Sequence, residues 1–344
     1  MKRGFLLLFL LMSVRGAAAQ AVAPSAPAAD VAPTMEQARA LAAKGQLDAA
    51  LAQLDALAKQ VPEPAGVDRL RGNIFYQRGD FERAVEAYSS AEAADPGDRE
   101  ATEMHGVSLF RMGRAKEAIP LLERARAEVA GTNVDPNYVL ALCYEDAARF
   151  DDARRAFAAQ FGFEAESAEA HLAAGRMFLR RELKEQAGAE ARKALELKPG
   201  LPLAHELLGE VALAEGDLAG AVKELDAERA LNPLSAEVYD RLGDAYVRMG
   251  EWAQARAVLN RAVLLEPQAT GPFILLGEVY LKTNEPVQAL HYLDHAVRMD
   301  PSNYITHNLL GQAYKATGEL ERARQEFTTA VSLQHRGDAR PVEK

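Results

Sequence analysis

Two histidines four residues apart are the best candidates for metal chemistry in this chain. In "HYLDH" (291–295), His291 and His295 share one face of a helix, so both imidazoles can reach a single ion. A protein metal site needs further ligands, and Asp294 falls off that face. The pair therefore reads as two surface histidines. "HELLG" (205–209) opens like a zinc-protease helix, but Gly209 stands where the second histidine belongs. The adjacent carboxylates Asp151 and Asp152 sit at a helix start, where they favour the helix dipole and line no pocket. Cys143, the only cysteine, falls on the packing side of a helix and reads as a buried, inert thiol. "RGD" (336–338) reads as an accidental tripeptide. The sequence contains no dinucleotide fingerprint, phosphate loop or nucleophile elbow. The expectation is a protein without catalysis, cofactor or metal; a metal-dependent or enzymatic accessory factor is the alternative.

What positions these residues is one helical unit written repeatedly. In "LGDAYVRMGEWAQARAVLNRAVLLEP" (242–267), Leu242, Ala245, Tyr246 and Met249 share a helical face. Gly250 interrupts, as glycine does where a helix ends in a turn. Ala255, Val258, Leu259, Ala262 and Leu265 then restart the apolar face, until Pro267 stops it. One such pair buries too little to stand alone and needs neighbours.

The neighbours are present. Gly175, Gly209, Gly243, Gly277 and Gly311 are 34 residues apart, and so are Pro199, Pro233, Pro267 and Pro301. Ala50, Ala84 and Ala118 keep that step, Ala153 follows after 35, and Ala187, Ala221, Ala255, Ala289 and Ala323 return to 34. Nine copies result, starting near 31, 65, 99, 134, 168, 202, 236, 270 and 304. A small residue at one place in every copy implies two helices crossing too closely for a larger side chain. The copies are not equally regular: Ala38 in copy one and Ala141 in copy four replace glycine, and in the middle Ala130 and Ala165 replace proline. Copy four ends in "QFGF", whose Phe161 and Phe163 either fill a wider gap or mark a bend where a partner docks.

The 34-residue helix-turn-helix period, the Leu-Gly pairs at 208–209, 242–243, 276–277 and 310–311, and Tyr246, Tyr280 and Tyr314 resemble the tetratricopeptide repeat (TPR) family. The resemblance runs from Val31 to Gly337. It implies an all-α, right-handed α-solenoid of nine helix pairs whose first helices line a concave, peptide-binding groove. Carried over by position, the groove residues are Arg69, Asn73, Tyr76, Met104, Val107, Phe110, Tyr138, Leu142, Arg176, Arg180, Glu206, Glu210, Asp240, Asp244 and Glu278, with Arg241, Arg248 and Lys282 among them. The groove is thus expected to be apolar and aromatic early and acidic later. A carboxylate clamp of the kind that holds chaperone tails is excluded: Arg69 and Asn73 fit it loosely, but Met104, Asp135 and Val139 occupy the remaining places.

The front of the chain reads as a targeting segment. Lys2 and Arg3 precede the apolar run "GFLLLFLLMSV" (4–14), and "AAAQ" (17–20) offers cleavage after Ala19. Eleven apolar residues are too few to cross a bilayer core. An uncleaved anchor is the rival reading. The expected order is a signal peptide (1–19), an Ala/Pro-rich linker (20–34), the solenoid (35–337) and a polar tail (338–344). Removing Lys2, Arg3 and Arg15 takes the net charge from −10 to −13, which argues against nucleic acid or an anionic membrane as partner. The sequence therefore reads as a periplasmic or secreted scaffold for protein segments carrying apolar anchors and basic residues, with a role in envelope assembly or export. The last copy still carries Val331 and Leu333 where copy seven has Val263 and Leu265, so self-association through this open end is a further expectation.

Overall fold

In the computed structural model the described residues are 33–126 and 136–338. They form eighteen helices, paired in the 34-residue period. The first pairs are α1 (Met35–Ala43) with α2 (Leu47–Leu57), α3 (Val67–Gln77) with α4 (Phe81–Ala94), and α5 (Arg99–Arg111) with α6 (Ala115–Arg126). The middle pairs are α7 (Pro136–Asp146) with α8 (Phe150–Phe161), α9 (Ala168–Arg180) with α10 (Lys184–Leu197), and α11 (Ala204–Glu215) with α12 (Leu218–Leu231). The last are α13 (Ala236–Met249) with α14 (Trp252–Leu265), α15 (Thr270–Lys282) with α16 (Pro286–Met299), and α17 (Tyr304–Thr317) with α18 (Leu320–Asp338). The fold is an all-α repeat solenoid. The signal-peptide reading, the linker (but for its last two residues) and Ala130 lie outside the described residues, as do the side chains of 336–338.

The quoted segment shows why the unit folds so. Ser235 caps α13, its hydroxyl accepting from the Val238 amide, and Gly250 closes the helix with φ at +76°. At Gly243 a Cβ would stand 2.2 Å from Leu259 Cδ2, so only glycine lets α14 lie this close. The recurring alanines fill the same crossing. Ala50, Ala84, Ala118, Ala153, Ala187, Ala221, Ala255 and Ala289 are fully buried, and Ala323 nearly so.

Polar contacts repeat as well. His171, His205 and His307 each bond through Nδ1 to a glutamate of the second helix (Glu190, Glu224 and Glu326) at 2.5, 2.8 and 2.6 Å. Where α11 lacks a capping side chain of its own, buried Glu228 reaches from α12 and accepts from the amides of Leu203 and Glu206. Such a partner satisfies donors that the helix start leaves open.

The irregular centre has a physical account. Most first helices pack on the first helix of the next repeat, but α7 and α9 barely meet. Ala165, standing where other repeats have proline, gives its carbonyl to the buried guanidinium of Arg154. Arg154 also pairs with Glu166 at 3.1 Å and with Asp151 at 3.3 Å. Phe161 and Phe163 do not fill the gap. Their rings lie 6.3 Å apart, 49% and 40% exposed.

Candidate functional site: the concave face

Contacts between successive first helices define the inner face of the solenoid. α3 packs on α5, α5 on α7, α9 on α11, α13 on α15 and α15 on α17, while second helices mainly touch the helices before and after them in the chain. The expected groove residues belong to these first helices.

At the early end the apolar residues are less available than their types imply. Tyr76, Phe110 and Leu142 are half-buried and pack against the main core, and Met104 packs against the neighbouring cluster. Val107 is buried, so it is not a groove contact. Tyr138 is the ring that stands clear: it is 40% exposed, with one edge against Phe157 at 6.2 Å between centroids. The expectation of a broad aromatic surface narrows to Tyr138 with its half-buried flanks.

The early polar residues join repeats to one another. Arg69 pairs with Asp98 at 3.0 Å and with Glu100 at 3.3 Å. Asn73 donates to Glu100 at 3.3 Å and accepts from the Tyr88 hydroxyl at 2.7 Å. Arg176 is half-buried and Arg180 exposed.

The acidic end is organised around Arg241. Its guanidinium pairs with Glu210 of the preceding repeat and with Glu237 at 2.8 Å, and its Nε lies 4.0 Å from Glu206 Oε1. Glu206 is a correction to the sequence reading: its side chain is only 1% exposed and offers no open surface. The helix packing that places Leu207 and Gly209 in the core carries Glu206 in with them. Burial pushes its carboxyl up to about 7, and burial likewise pushes Asp240 up to about 6. Glu206 Oε2 and Asp240 Oδ1 are buried atoms without a hydrogen-bond partner. Asp244 pairs with Arg248 at 3.5 Å, and Glu278 is half-buried.

Glu145 is a residue that sequence reasoning does not single out. It is buried on α7, held at 3.3 Å by Arg181 of the next repeat, and burial pushes its carboxyl up to about 7. Its only sequence signal is an acid at a register place that seven of the other eight repeats give to apolar or aromatic residues, the last having Lys315.

Among the described residues, the histidines of 291–295 join no group of three ligating side chains. His291 is exposed, whereas His295 is half-buried with its ring 4.3 Å from that of Phe273, so it is not the bare surface residue expected. His205 bonds Glu224, and Gly209 beside it is a packing glycine, its Cβ position 2.6 Å from Leu225 Cγ. Cys143 is buried, and desolvation pushes its thiol up to about 12, which leaves it unreactive. No described helix is long and apolar enough to cross a membrane. In the last repeat, Glu326 takes the place that Val258 has two repeats earlier, beside exposed Val331 and half-buried Leu333.

Stacked helix pairs with a shared inner face define a helical-repeat scaffold. Tetratricopeptide repeat family models match residues 35–99 and 274–341 and residues 109–177 and 212–271. The chain belongs to the tetratricopeptide repeat family, whose members generally act as non-catalytic scaffolds for protein–protein interaction. No curated protein matches it. Among solved structures it is similar to MamA (41-end) from Desulfovibrio magneticus RS-1, at 22% identity over 50% of this chain and 97% of that one, with a TM-score of 0.47. It is also similar to YrrB, described as a TPR protein with an unusual peptide-binding site, at 20% identity over 53% and 93% of the two chains and a TM-score of 0.46. A third is the APC/C hetero-tetramer Cut9–Hcn1, at 18% identity over 80% of this chain and 54% of that one, TM-score 0.44.

Proposed function

We propose that the protein is a non-catalytic scaffold that holds segments of partner proteins along its inner face, outside the cytoplasm, in envelope assembly or export. The observation that carries the reading is the division of that face: the exposed Tyr138 ring lies on one side of the loose α7–α9 junction and the acids around Arg241 on the other. A bound segment then carries an apolar anchor for Tyr138 and basic residues for Glu210, Asp240 and Asp244. Buried aromatics dominate affinity in such contacts, whereas exposed ion pairs contribute little. The export part of the reading rests on the basic and apolar pattern of residues 2–14.

The test is affinity capture from an envelope fraction, followed by binding measurements with the captured partner. Tyr138→Ala is expected to weaken binding strongly, and Asp244→Ala to change mainly salt dependence and on-rate. If both variants bind as wild type does, the inner face is not the site.

A further inference from the structure

Where α7 and α9 barely meet, their C-terminal ends are joined through Arg181. Its guanidinium lies 3.3 Å from Glu145 Oε2 and donates to Asp146 Oδ1 at 2.5 Å, so two adjacent acids share one cation. The two acids differ in their surroundings. Asp146 is exposed, whereas the Glu145 side chain is 1% exposed and neither of its oxygens has a hydrogen-bond donor. Of the charged groups on the helices around α7, Arg181 and Asp146 act on Glu145. Arg111 on α5 stacks over the Phe81 ring, Arg149 at the start of α8 pairs with Glu123 of α6 and with Asp152, and Arg176 on α9 acts on Glu206. A charged Glu145 thus has part of one guanidinium for compensation and no donor, and the neutral acid is the form that fits the closed junction. Burial pushes its carboxyl up to about 7, with Arg181 pulling down and Asp146 pushing up. The turns that end both helices are strained as well. Ala148 and Glu182 take left-handed backbone, with φ of +55° and +62°, where Gly113 and Gly216 close α5 and α11.

We propose that Glu145 and Arg181 form a pH-sensitive latch on the inner junction of repeats four and five: with Glu145 protonated the ends of α7 and α9 lie closed, and with Glu145 ionised they part to let water reach it. The latch belongs to the fold and does not depend on the groove-binding reading. In the open form the carboxyl returns to its ordinary 4.5. Opening therefore releases a proton between about pH 4.5 and 7, becomes easier across that window and levels off above it. The strained turns at Ala148 and Glu182 lie where the two helix ends would move.

Hydrogen exchange of the full chain at about pH 5.5 and about pH 7.5, with each amide rate divided by its intrinsic rate, measures the opening. The last turns of α7 and α9 are expected to open about tenfold or more often at the higher pH, while α3 and α4 stay within about twofold. Glu145→Gln is expected to remove the response. Asp146→Asn, at an exposed position, frees Arg181 for Glu145 and is expected to shrink the response about fivefold; Arg181→Gln is expected to enlarge it. An equal response in α3 and α4, an unchanged response in Glu145→Gln, or no response in the wild type would overturn the latch. Should Glu145→Gln fail to fold, a response that neither Asp146→Asn nor Arg181→Gln alters would overturn it instead.

Discussion

Gly243 and Leu259 meet so closely that a single added carbon at Gly243 would stand 2.2 Å from Leu259 Cδ2. The first and second helices of repeat seven cross at this point, with Ala255 fully buried nearby. Gly243→Ala and Ala255→Leu are each expected to cost about 1–3 kcal/mol, because an overpacked crossing must shift side chains or backbone. The check is the urea midpoint by circular dichroism. A solenoid's stability is largely a sum over repeats and their interfaces, so the loss is expected to appear as early unfolding around repeat seven in hydrogen exchange.

Arg154 carries a second stability prediction. It is buried, ties Ala165 into place, and lies 3.7 Å from Glu190, which also bonds His171. Arg154→Ala leaves Glu190 with less compensation in a mostly buried place, and a cost of about 3–5 kcal/mol is expected. Limited proteolysis is expected to cut first between repeats four and five, where α7 and α9 barely touch. Cutting elsewhere would remove Arg154 from its role in that junction.

Stability is expected to depend on pH through two buried acids. Burial raises the folded-state carboxyls of Glu145 and Glu206 to about 7, above the ordinary 4.5. Each is bound to a proton in the fold at a pH where the unfolded chain has lost it, so its contribution is full below about pH 4.5 and fades as pH rises through about 7. Glu206→Gln is therefore expected to gain relative to wild type between about pH 5 and pH 8, by at most about 3 kcal/mol. Thermal unfolding across that range checks it. A difference between the two proteins that is constant with pH would contradict the assignment.

On the proposed export reading, cleavage after Ala19 would make Gln20 the first residue of the mature chain. Intact-mass spectrometry of the periplasmic or secreted fraction is expected to give that start, and an unprocessed Met1 in the membrane pellet would favour the anchor reading.

The sequence makes the fold legible because period and packing coincide. A glycine or alanine at each crossing is both a sequence signal and a steric requirement, as Gly243 and Ala255 show. The groove is less legible, since register names the helix face but not the depth. Glu206 occupies a groove place and is nevertheless buried, while Tyr76 and Phe110 sink halfway into the core. The role of Arg154 rests on a carbonyl eleven residues away, a contact that composition and spacing do not reveal.

Site-specific photocrosslinking tests the central claim most directly. A photoreactive residue placed at Tyr138 or at Asp244 on the inner face, or at exposed Arg261 on α14, is illuminated in cells and the adducts are identified. The account predicts one common partner protein crosslinked from Tyr138 and Asp244 and none from Arg261. Adducts from Arg261 alone, with the inner positions silent, would contradict it.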